Sequence, residues 1–292
     1  MLKRKALRKI FITTLSMLII LTIYTIPTTQ KPNVLRTNLE IEDITNLSTD
    51  KIYLLNKNNY LVKTDVFIDS NKKIEKIIEY LTINNNKIPS NLNGYIPKNT
   101  KLLNYNIESN SLLLNFSKEF KNSINEEIMI TGIVYSLLEL TDIKDVSIQV
   151  ENNFYKDYIN LNKDIGINKN IMYTNRKEIN KVVVYYLDEE DNYYVPVTNY
   201  INDNREKIEI IIDSLKETKK GLISYISDNT KLLNYQEDNN LLILNFSKEL
   251  KNKNTNSEDK ILNTISYSVF DNYDVNMVLF QIEGETYKYI KR

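Results

Sequence analysis

The sequence predicts a mixed α+β chain of two tandem domains behind an N-terminal transmembrane helix, each domain having the order ββαββαβ with its helices packed on one sheet. The 292-residue chain repeats itself at an offset of 130, so that the hexapeptide TKLLNY of residues 100–105 recurs at 230–235. Each repeat shows the same strand and helix patterns. Because this period exceeds the 20–50 residues of solenoid repeats, each copy should bury its own core as a domain.

The N-terminal region predicts a membrane anchor. Residues 1–9 contain Lys3, Arg4, Lys5, Arg8 and Lys9 without an acid, and residues 10–26 are uncharged. As a helix, this stretch would span roughly 25 Å, slightly short of a hydrocarbon core of about 30 Å. No small-x-small cleavage site follows, so we expect an uncleaved signal anchor with residues 1–9 in the cytoplasm and the bulk of the chain outside it. A cleaved signal peptide and a buried core helix are the alternatives.

A polar segment over residues 27–49 is predicted to form a stalk before copy 1, which spans residues 50–155. Copy 1 opens with a predicted hairpin, whose strands cover residues 52–55 and 60–68. An amphipathic helix follows, because its apolar residues recur at i, i+3, i+4 and i+7. These residues are Ile74, Ile77, Ile78 and Leu81 in copy 1, and Ile208, Ile211, Ile212 and Leu215 in copy 2.

The second half of each copy predicts a further hairpin, a helix and a last strand. The hairpin strands are expected over 101–106 with 112–116, and over 231–236 with 242–246. The helices are expected over 126–141 and 258–271, and the last strands around Ile148 and Phe280. Residues 156–177 have no counterpart in register, so they are predicted to link copy 1 to copy 2, which spans residues 178–292.

The composition excludes several kinds of site. The chain has no Cys and no His, which removes disulfides, thiolate zinc sites, cysteine nucleophiles and the commonest general base. Five glycines form no phosphate-binding loop. Five of the 38 basic residues lie in the first nine positions, so 33 remain against 38 acidic ones. This mildly acidic body disfavours nucleic-acid binding.

The segment Asn-Phe-Ser-Lys-Glu, at residues 115–119 and 245–249, is the first place to look for a site. Ser117 and Lys118 are adjacent in an extended chain and point to opposite faces, so they cannot form a catalytic dyad with each other. We therefore interpret the segment as structural: the strand ends at Phe116, Ser117 bonds backbone at the turn, and Phe120 or Leu250 fills the core.

Three further groups could bear chemistry, and each has a structural alternative. Carboxylates are the remaining catalytic candidates, but they are expected on outer helix faces or loop tips; they include Glu75, Glu79, Glu126, Glu127, Glu189, Glu190 and Asp191. Residues 188–192 lack the spacing and glycine of a calcium loop and favour a hairpin tip. The pairs Tyr185-Tyr186 and Tyr193-Tyr194 could form a platform for wall glycans, although strand packing explains them equally well.

The ordered motifs resemble a known family. An Ile-Pro-x-x-Thr-x-Leu-Leu turn at 96–103, a strand ending in Asn-Phe-Ser at 115–117, the helical segment 133–137 and a last strand ending near Glu283-Gly284 resemble the GerM domain. The resemblance covers roughly residues 50–155 and 180–287. The chain departs from the family pattern where the Leu-Leu-x-Gly-Pro after the first helix is degraded, where Ser227 replaces the proline, and where the lipid-bearing Cys of many members is missing.

The resemblance implies an extracytoplasmic, membrane-tethered and non-enzymatic module whose fold is similar to the ring-building motifs of secretion machines. GerM-like proteins occur in spore formation and germination, associated with the channel complex between mother cell and forespore. No catalytic, cofactor-binding or metal-binding residues follow from it. The expected partners are the membrane and proteins of the envelope or the sporulation complex, in a homo- or hetero-oligomer, without nucleic acid.

Two other functions stay open at this point. A peptidoglycan- or glycan-binding protein would use exposed tyrosines, and a hydrolase would use paired carboxylates in a concave cleft. A flat surface with an apolar patch or an open sheet edge would instead favour protein assembly.

Overall fold

The computed structural model describes residues 4–25, 47–171, 180–217, 219–251 and 255–292. The chain divides into two compact units, Met1–Asp43 and Ile44–Arg292, so both copies lie in the second unit. In the first unit, Arg4–Thr25 form helix α1. The predicted anchor over 10–26 lies in α1 up to Thr25, and residue 26 lies outside the described residues.

The transmembrane part of the fold prediction is not confirmed. Within the part of the chain that the structure describes, no helix combines the length and the apolarity that crossing a membrane requires. The predicted stalk lies outside the described residues up to residue 46, and residues 47–49 already belong to the first strand.

Copy 1 has the predicted order of strands and helices, with one additional strand at its end. Its first hairpin and helix are β1 (Leu47–Leu55), β2 (Leu61–Asp69) and α2 (Lys73–Tyr80). Its second half comprises β3 (Leu102–Glu108), β4 (Ser111–Phe116), α3 (Glu126–Leu137), β5 (Asp145–Val150) and the short β6 (Asn153–Phe154). The polar tip between β3 and β4 is a two-residue turn, in which Ser109 and Asn110 have φ angles of 50° and 74°.

Copy 2 repeats this arrangement. A short strand from the linker, β7 (Asn170–Ile171), precedes β8 (Asn180–Asp188), β9 (Tyr194–Ile201), α4 (Lys207–Lys216) and the short β10 (Leu222–Ile223). The second half comprises β11 (Leu232–Asp238), β12 (Leu241–Phe246), α5 (Thr255–Asn272), β13 (Met277–Ile282) and β14 (Glu285–Lys291).

Each copy contains two sheets. In copy 1, β1 pairs with β2, and a separate sheet has the order β3-β4-β5-β6; the sheets of copy 2 have the orders β10-β8-β9-β7 and β11-β12-β13-β14. Strands β4 and β5 run parallel, as do β12 and β13. Parallel neighbours need a crossover, which α3 and α5 provide.

The prediction of one sheet and seven elements per copy is therefore wrong in two respects. The last predicted strand is followed by another, β6 or β14, and the first hairpin lies in a sheet separate from that of the second hairpin, alone in copy 1 and with the short β10 and β7 in copy 2. The second difference has a physical cause: the N–H of Tyr53 on β1 donates to Ser136 Oγ on α3 at 2.9 Å, and the N–H of Tyr185 on β8 donates to Ser268 Oγ on α5 at 2.8 Å. A helix hydroxyl thus takes the position that a further strand would need.

The predicted helix stripes fill the core. Ile74, Ile77, Ile78 and Leu81 are 5% exposed or less, and their counterparts in copy 2 are 2% exposed or less. Helix α3 is buried on more than one face, because Thr131, Gly132 and Ser136 are buried together with its apolar residues. It crosses between the two sheets of copy 1 and contacts both β1 and β5.

The first part of the predicted linker is packed against both copies. Ile167 is fully buried, and its N–H donates to Thr198 Oγ1 on β9 at 2.8 Å. The Asn168 side chain accepts the N–H of Leu61 on β2 at 2.9 Å and donates to the carbonyl oxygens of Leu61 and Pro196, each at 2.8 Å. We call this contact between β2, the linker and β9 the seam. The predicted domain boundaries stay predictions.

Candidate interaction surfaces

The repeated Asn-Phe-Ser-Lys-Glu segment supports the fold, as its structural interpretation predicts. Strand β4 ends at Phe116, and the N–H of Lys101 donates to Ser117 Oγ at 3.0 Å. Phe120 is fully buried one turn later. The same arrangement in copy 2 involves Lys231, Ser247 and Leu250. The serine therefore ties the start of β3 or β11 to the end of the neighbouring strand.

The asparagine of this segment supports a second turn. Asn115 is 1% exposed, and its Oδ1 accepts the N–H of Asn152 at 3.0 Å in the turn between β5 and β6. In copy 2, Asn245 Oδ1 accepts the N–H of Gly284 at 2.9 Å between β13 and β14. The repetition of this residue is thus explained by a turn that both copies contain.

The pKa shifts of the carboxyl groups are opposite in direction to the shift that a general acid needs. Hydrogen bonds from the Ser117 hydroxyl and the backbone lower the pKa of the partly exposed Glu119, and Ser247 has the same effect on the pKa of Glu249. Among the described residues, every carboxyl group with a resolved shift has a lowered pKa. A glycosidase acid requires a raised pKa. These groups therefore remain ionised at neutral pH.

Residues 188–192 form the hairpin tip between β8 and β9, as predicted. Asp188 is 3% exposed, and its Oδ1 accepts the N–H groups of Asn192 at 2.7 Å and Tyr193 at 2.9 Å. Asp191 forms an ion pair with Lys260 on α5. In the described ranges, no group of three or more acidic side chains is placed to hold a metal ion.

Of the two tyrosine pairs, Tyr185-Tyr186 is buried and Tyr193-Tyr194 is partly exposed. Tyr185 and Tyr186 are 8% and 1% exposed, and their hydroxyls donate to Asp271 at 2.8 Å and to the carbonyl of Ser214 at 2.9 Å. Tyr194 packs edge-on against Tyr267 with ring centroids 4.9 Å apart. Strand packing therefore explains Tyr185 and Tyr186, which do not form the exposed platform that glycan binding would use.

The outer faces of the helices carry paired charges. Lys73 on α2 lies 2.6 Å from Asp50 on β1, and Glu79 lies 3.1 Å from Lys76 and 2.8 Å from Lys87. On α4, Asp213 pairs with Arg205 at 2.5 Å and with Lys216 at 3.3 Å. Partly exposed pairs of this kind contribute little to stability. They also leave few charges on these faces free for a partner.

The sheet edges are the open surfaces. Strands β3 and β11 are the outermost strands of their sheets, and within the described chain no strand pairs with their outer edges. Tyr105 lies opposite Leu114 and Ile107 opposite Leu112, on the core side of the sheet. Nevertheless Tyr105 and Ile107 are 38% and 47% exposed, because the core ends at β4.

Copy 2 presents a similar edge. Leu233 and Tyr235 are 46% and 37% exposed, while Leu103 in copy 1 is 44% exposed. We define the edge strips as Leu103, Tyr105 and Ile107 in copy 1, and Leu233 and Tyr235 in copy 2. The sequence patterns placed these residues, except Ile107, in predicted strands but did not predict their exposure, since alternating apolar residues usually indicate a half-buried strand. Their repetition at 102–105 and 232–235 was the available signal.

Comparisons with known proteins agree with the two copies. The model of a family described as "Germane: Sporulation and spore germination" matches residues 51–156 and 183–288. The spore germination protein GerM of Bacillus subtilis is 26% identical over 267 residues, which cover 81% of this chain and 72% of that protein.

A solved structure has the same fold. The tandem GerMN domains of the sporulation protein GerM from Bacillus subtilis superpose with a TM-score of 0.74 at 22% sequence identity, covering 84% of this chain and 97% of that one. This match confirms the mixed α+β class and the tandem arrangement.

Proposed function

Because the chain belongs to the Germane family of sporulation and spore germination proteins, as the resemblance to the GerM domain predicted, we propose that it is a non-enzymatic assembly module of the cell envelope. In this role it binds envelope or sporulation-complex proteins through the edge strips of its two copies. The absence of His and Cys from the sequence and the lowered pKa of carboxyl groups such as Glu119 support a binding role over hydrolysis.

The open edge strands are the observation on which the proposal rests. An unpaired strand edge presents N–H and C=O groups that an extended segment of another protein can pair with, while its side chains give specificity. Natural proteins protect such edges with lysine or proline. Neither residue occurs within β3 (LLNYNIE) or β11 (LLNYQED), which have a bulge at their start and acidic residues only at their end. Both copies thus keep an edge that can accept a partner strand.

The proposal includes attachment to the cell membrane. Its support is the basic segment before the uncharged residues 10–26, which favours a cytoplasmic N-terminus and an extracytoplasmic bulk. N-terminal sequencing of the protein from the membrane fraction should begin at Met1. A mature chain that begins near Gln30 in the soluble fraction would contradict the anchor.

The edge strips can be tested in the full-length tagged chain, cross-linked in spore-forming cells. A variant with Tyr105→Lys, Ile107→Lys and Tyr235→Lys keeps the fold, because these side chains are exposed, but places charge on the edges. We expect the recovery of cross-linked partners to fall by about tenfold or more. Phe67→Lys is the matched control, since Phe67 is 68% exposed on β2, which belongs to a different sheet from the edge strips.

Equal partner recovery from the edge variant and the Phe67 control would contradict the binding site. A hydrolytic activity of the purified protein that Glu119→Gln and Glu249→Gln remove would replace the assembly role with an enzymatic one.

A further inference from the structure

The outer face of the second sheet in copy 2 is apolar. Leu241 and Ile243 on β12 lie beside Met277 and Leu279 on β13, and Tyr289 on β14 lies beside Leu279. We call these five residues the apolar face. The alternate residues of the same strands, such as Leu242, Leu244, Val278 and Phe280, are fully buried and form the core. The apolar face therefore lies on the side of the sheet that points away from the core.

The apolar face is accessible. Tyr289 is 62% exposed, and the other four side chains are partly exposed. A shallow depression of about 330 Å³ lies between Leu241, Met277, Leu279, Tyr289 and Lys291. Among the described residues, only side chains of β12, β13 and β14 line this depression. An apolar sheet face without a cover is unusual in a stable monomer and marks an interaction site.

Copy 1 shows that the fold does not require this apolar surface. The equivalent positions are Ser111, Leu113, Asp145 and Ser147, which occupy the same places in the register of β4 and β5. There, Ser111 donates to Asp145 at 2.8 Å, and Ser147 Oγ accepts the N–H of Asn160 at 2.9 Å. The same sheet is thus built with a polar outer face in one copy and an apolar outer face in the other. A requirement particular to copy 2 must account for the difference.

The charges at the two sides of the apolar face identify the occupant. Asp238 on β11 lies opposite Leu241, and Lys291 on β14 lies opposite Met277, so both side chains are on the outer face at opposite edges. Among the described residues, neither forms an ion pair; Asp238 accepts only from the Asn239 amide, at 2.9 Å. A two-fold axis parallel to the strands, between two stacked sheets, would bring the β11 edge of one chain opposite the β14 edge of the other.

From this complementarity we infer that the apolar face binds a second copy of this chain, in an isologous sheet-on-sheet dimer with Asp238 of each chain facing Lys291 of the other. Packed sheets lie about 10 Å apart and bury their facing side chains. The inference names one partner for the proposed assembly role and uses a surface separate from the edge strips. Either can fail without the other.

The size of the face predicts a reversible dimer. Six residues of strand and four strands cover an area of about 20 Å by about 15 Å. Such a contact of about 300 Å² per chain is smaller than a standard stable interface, so the dimer should be weak and populated only at high protein concentration. Analytical ultracentrifugation of the full chain should therefore show a monomer–dimer equilibrium that shifts toward the dimer with concentration.

A cross-link tests the geometry directly. A carbodiimide joins a carboxylate to an amine without a spacer, and Asp238 and Lys291 of one chain are separated by three strand spacings, about 14 Å. Mixing ¹⁴N- and ¹⁵N-labelled full-length chains should give cross-linked peptides that pair light Asp238 with heavy Lys291. A wild-type chain that remains monomeric at all concentrations, or that gives no such mixed peptide, would overturn the inference.

Variants separate the contribution of the apolar face to dimer stability from that of the Asp238–Lys291 ion pairs. Replacing Leu241, Met277 and Leu279 by the Ser, Asp and Ser of copy 1 should abolish the dimer, whereas Tyr235→Lys in the edge strip should leave it unchanged. Asp238→Lys and Lys291→Asp should each weaken the dimer by about tenfold, and the double exchange should restore it. If the double exchange is as weak as the single variants, the two-fold pairing is wrong.

Discussion

At the scale of single residues, a buried asparagine supports the turn that follows β5 or β13. The two residues of each turn have left-handed backbones: the φ angles are 53° and 62° at Glu151 and Asn152, and 52° and 86° at Glu283 and Gly284. Asn and Gly are the residues that adopt this conformation most readily. The side chain of Asn115 or Asn245 then accepts the N–H of the second turn residue.

Asn245→Ala should lower the free energy of unfolding by about 1–3 kcal/mol, because the N–H of Gly284 loses its acceptor at a site that Asn245 keeps from water. Urea denaturation of the full chain measures this loss. Asn234→Ala is the matched control, since Asn234 is an exposed asparagine opposite Asn245, and it should change the value by less than about 0.5 kcal/mol. Equal losses in both variants would show that the turn does not depend on Asn245.

At the scale of elements, the equivalent helices α3 and α5 pack against equivalent tyrosines in different ways. In copy 1, a Cβ at Gly132 would lie 2.3 Å from the ring of Tyr95, whose hydroxyl donates to the carbonyl of Tyr53 at 3.0 Å. Copy 2 has Thr264 in place of the glycine, and its Tyr225 donates instead to Asp191 at 3.0 Å. The glycine and the inward tyrosine therefore occur together.

Gly132→Ala should destabilise the protein by about 1–3 kcal/mol through overpacking against Tyr95. In the background of Tyr95→Leu, which removes the clashing ring, the same change should cost much less. Thermal unfolding of the four proteins of this double-mutant cycle measures the coupling between the two positions. Strictly additive losses of stability would mean that Gly132 is not needed to make room for the ring of Tyr95.

Local patterns predicted the helices and both hairpins of each copy, but not the division of the strands into two sheets. The stripe from Ile74 to Leu81 is buried as predicted, because helical periodicity depends on near neighbours. The division into two sheets depends on Ser136, which meets Tyr53 across 83 positions of sequence. Strand β14 has no buried side chain and its sequence gave little hydrophobic signal. The exposure of Tyr105 also depends on where distant elements end.

At the scale of the whole molecule, the amide of Asn168 makes three of the hydrogen bonds that join the copies at the seam. Asn168 bonds both backbone groups of Leu61 and also the carbonyl of Pro196, with a φ angle of 46° that asparagine tolerates. The repeated core pattern predicts that each copy folds alone. We expect the copies also to stabilise each other, because the seam provides hydrogen-bond partners for backbone groups of β2 and β9 at the boundary between the copies.

Asn168→Ala should lower the unfolding free energy by about 1–3 kcal/mol and separate the unfolding of the copies into two calorimetric transitions. Asn99→Ala is the control for the backbone conformation alone, because Asn99 is exposed with a φ angle of 70°. A single, unchanged transition in the Asn168 variant would show that other contacts couple the copies.

The amide of Asn168 imitates the backbone of a strand, because it offers an acceptor and a donor to the same residue. Because the Asn168 side chain must stay beside Leu61, the number of residues in the preceding linker is constrained. One residue inserted between Tyr155 and Asn168 would move the amide away from Leu61, whereas insertions at the Ser109-Asn110 tip would move only solvent-exposed atoms. Homologous chains should therefore keep the spacing of this stretch even where its sequence changes, and vary in length at the tips.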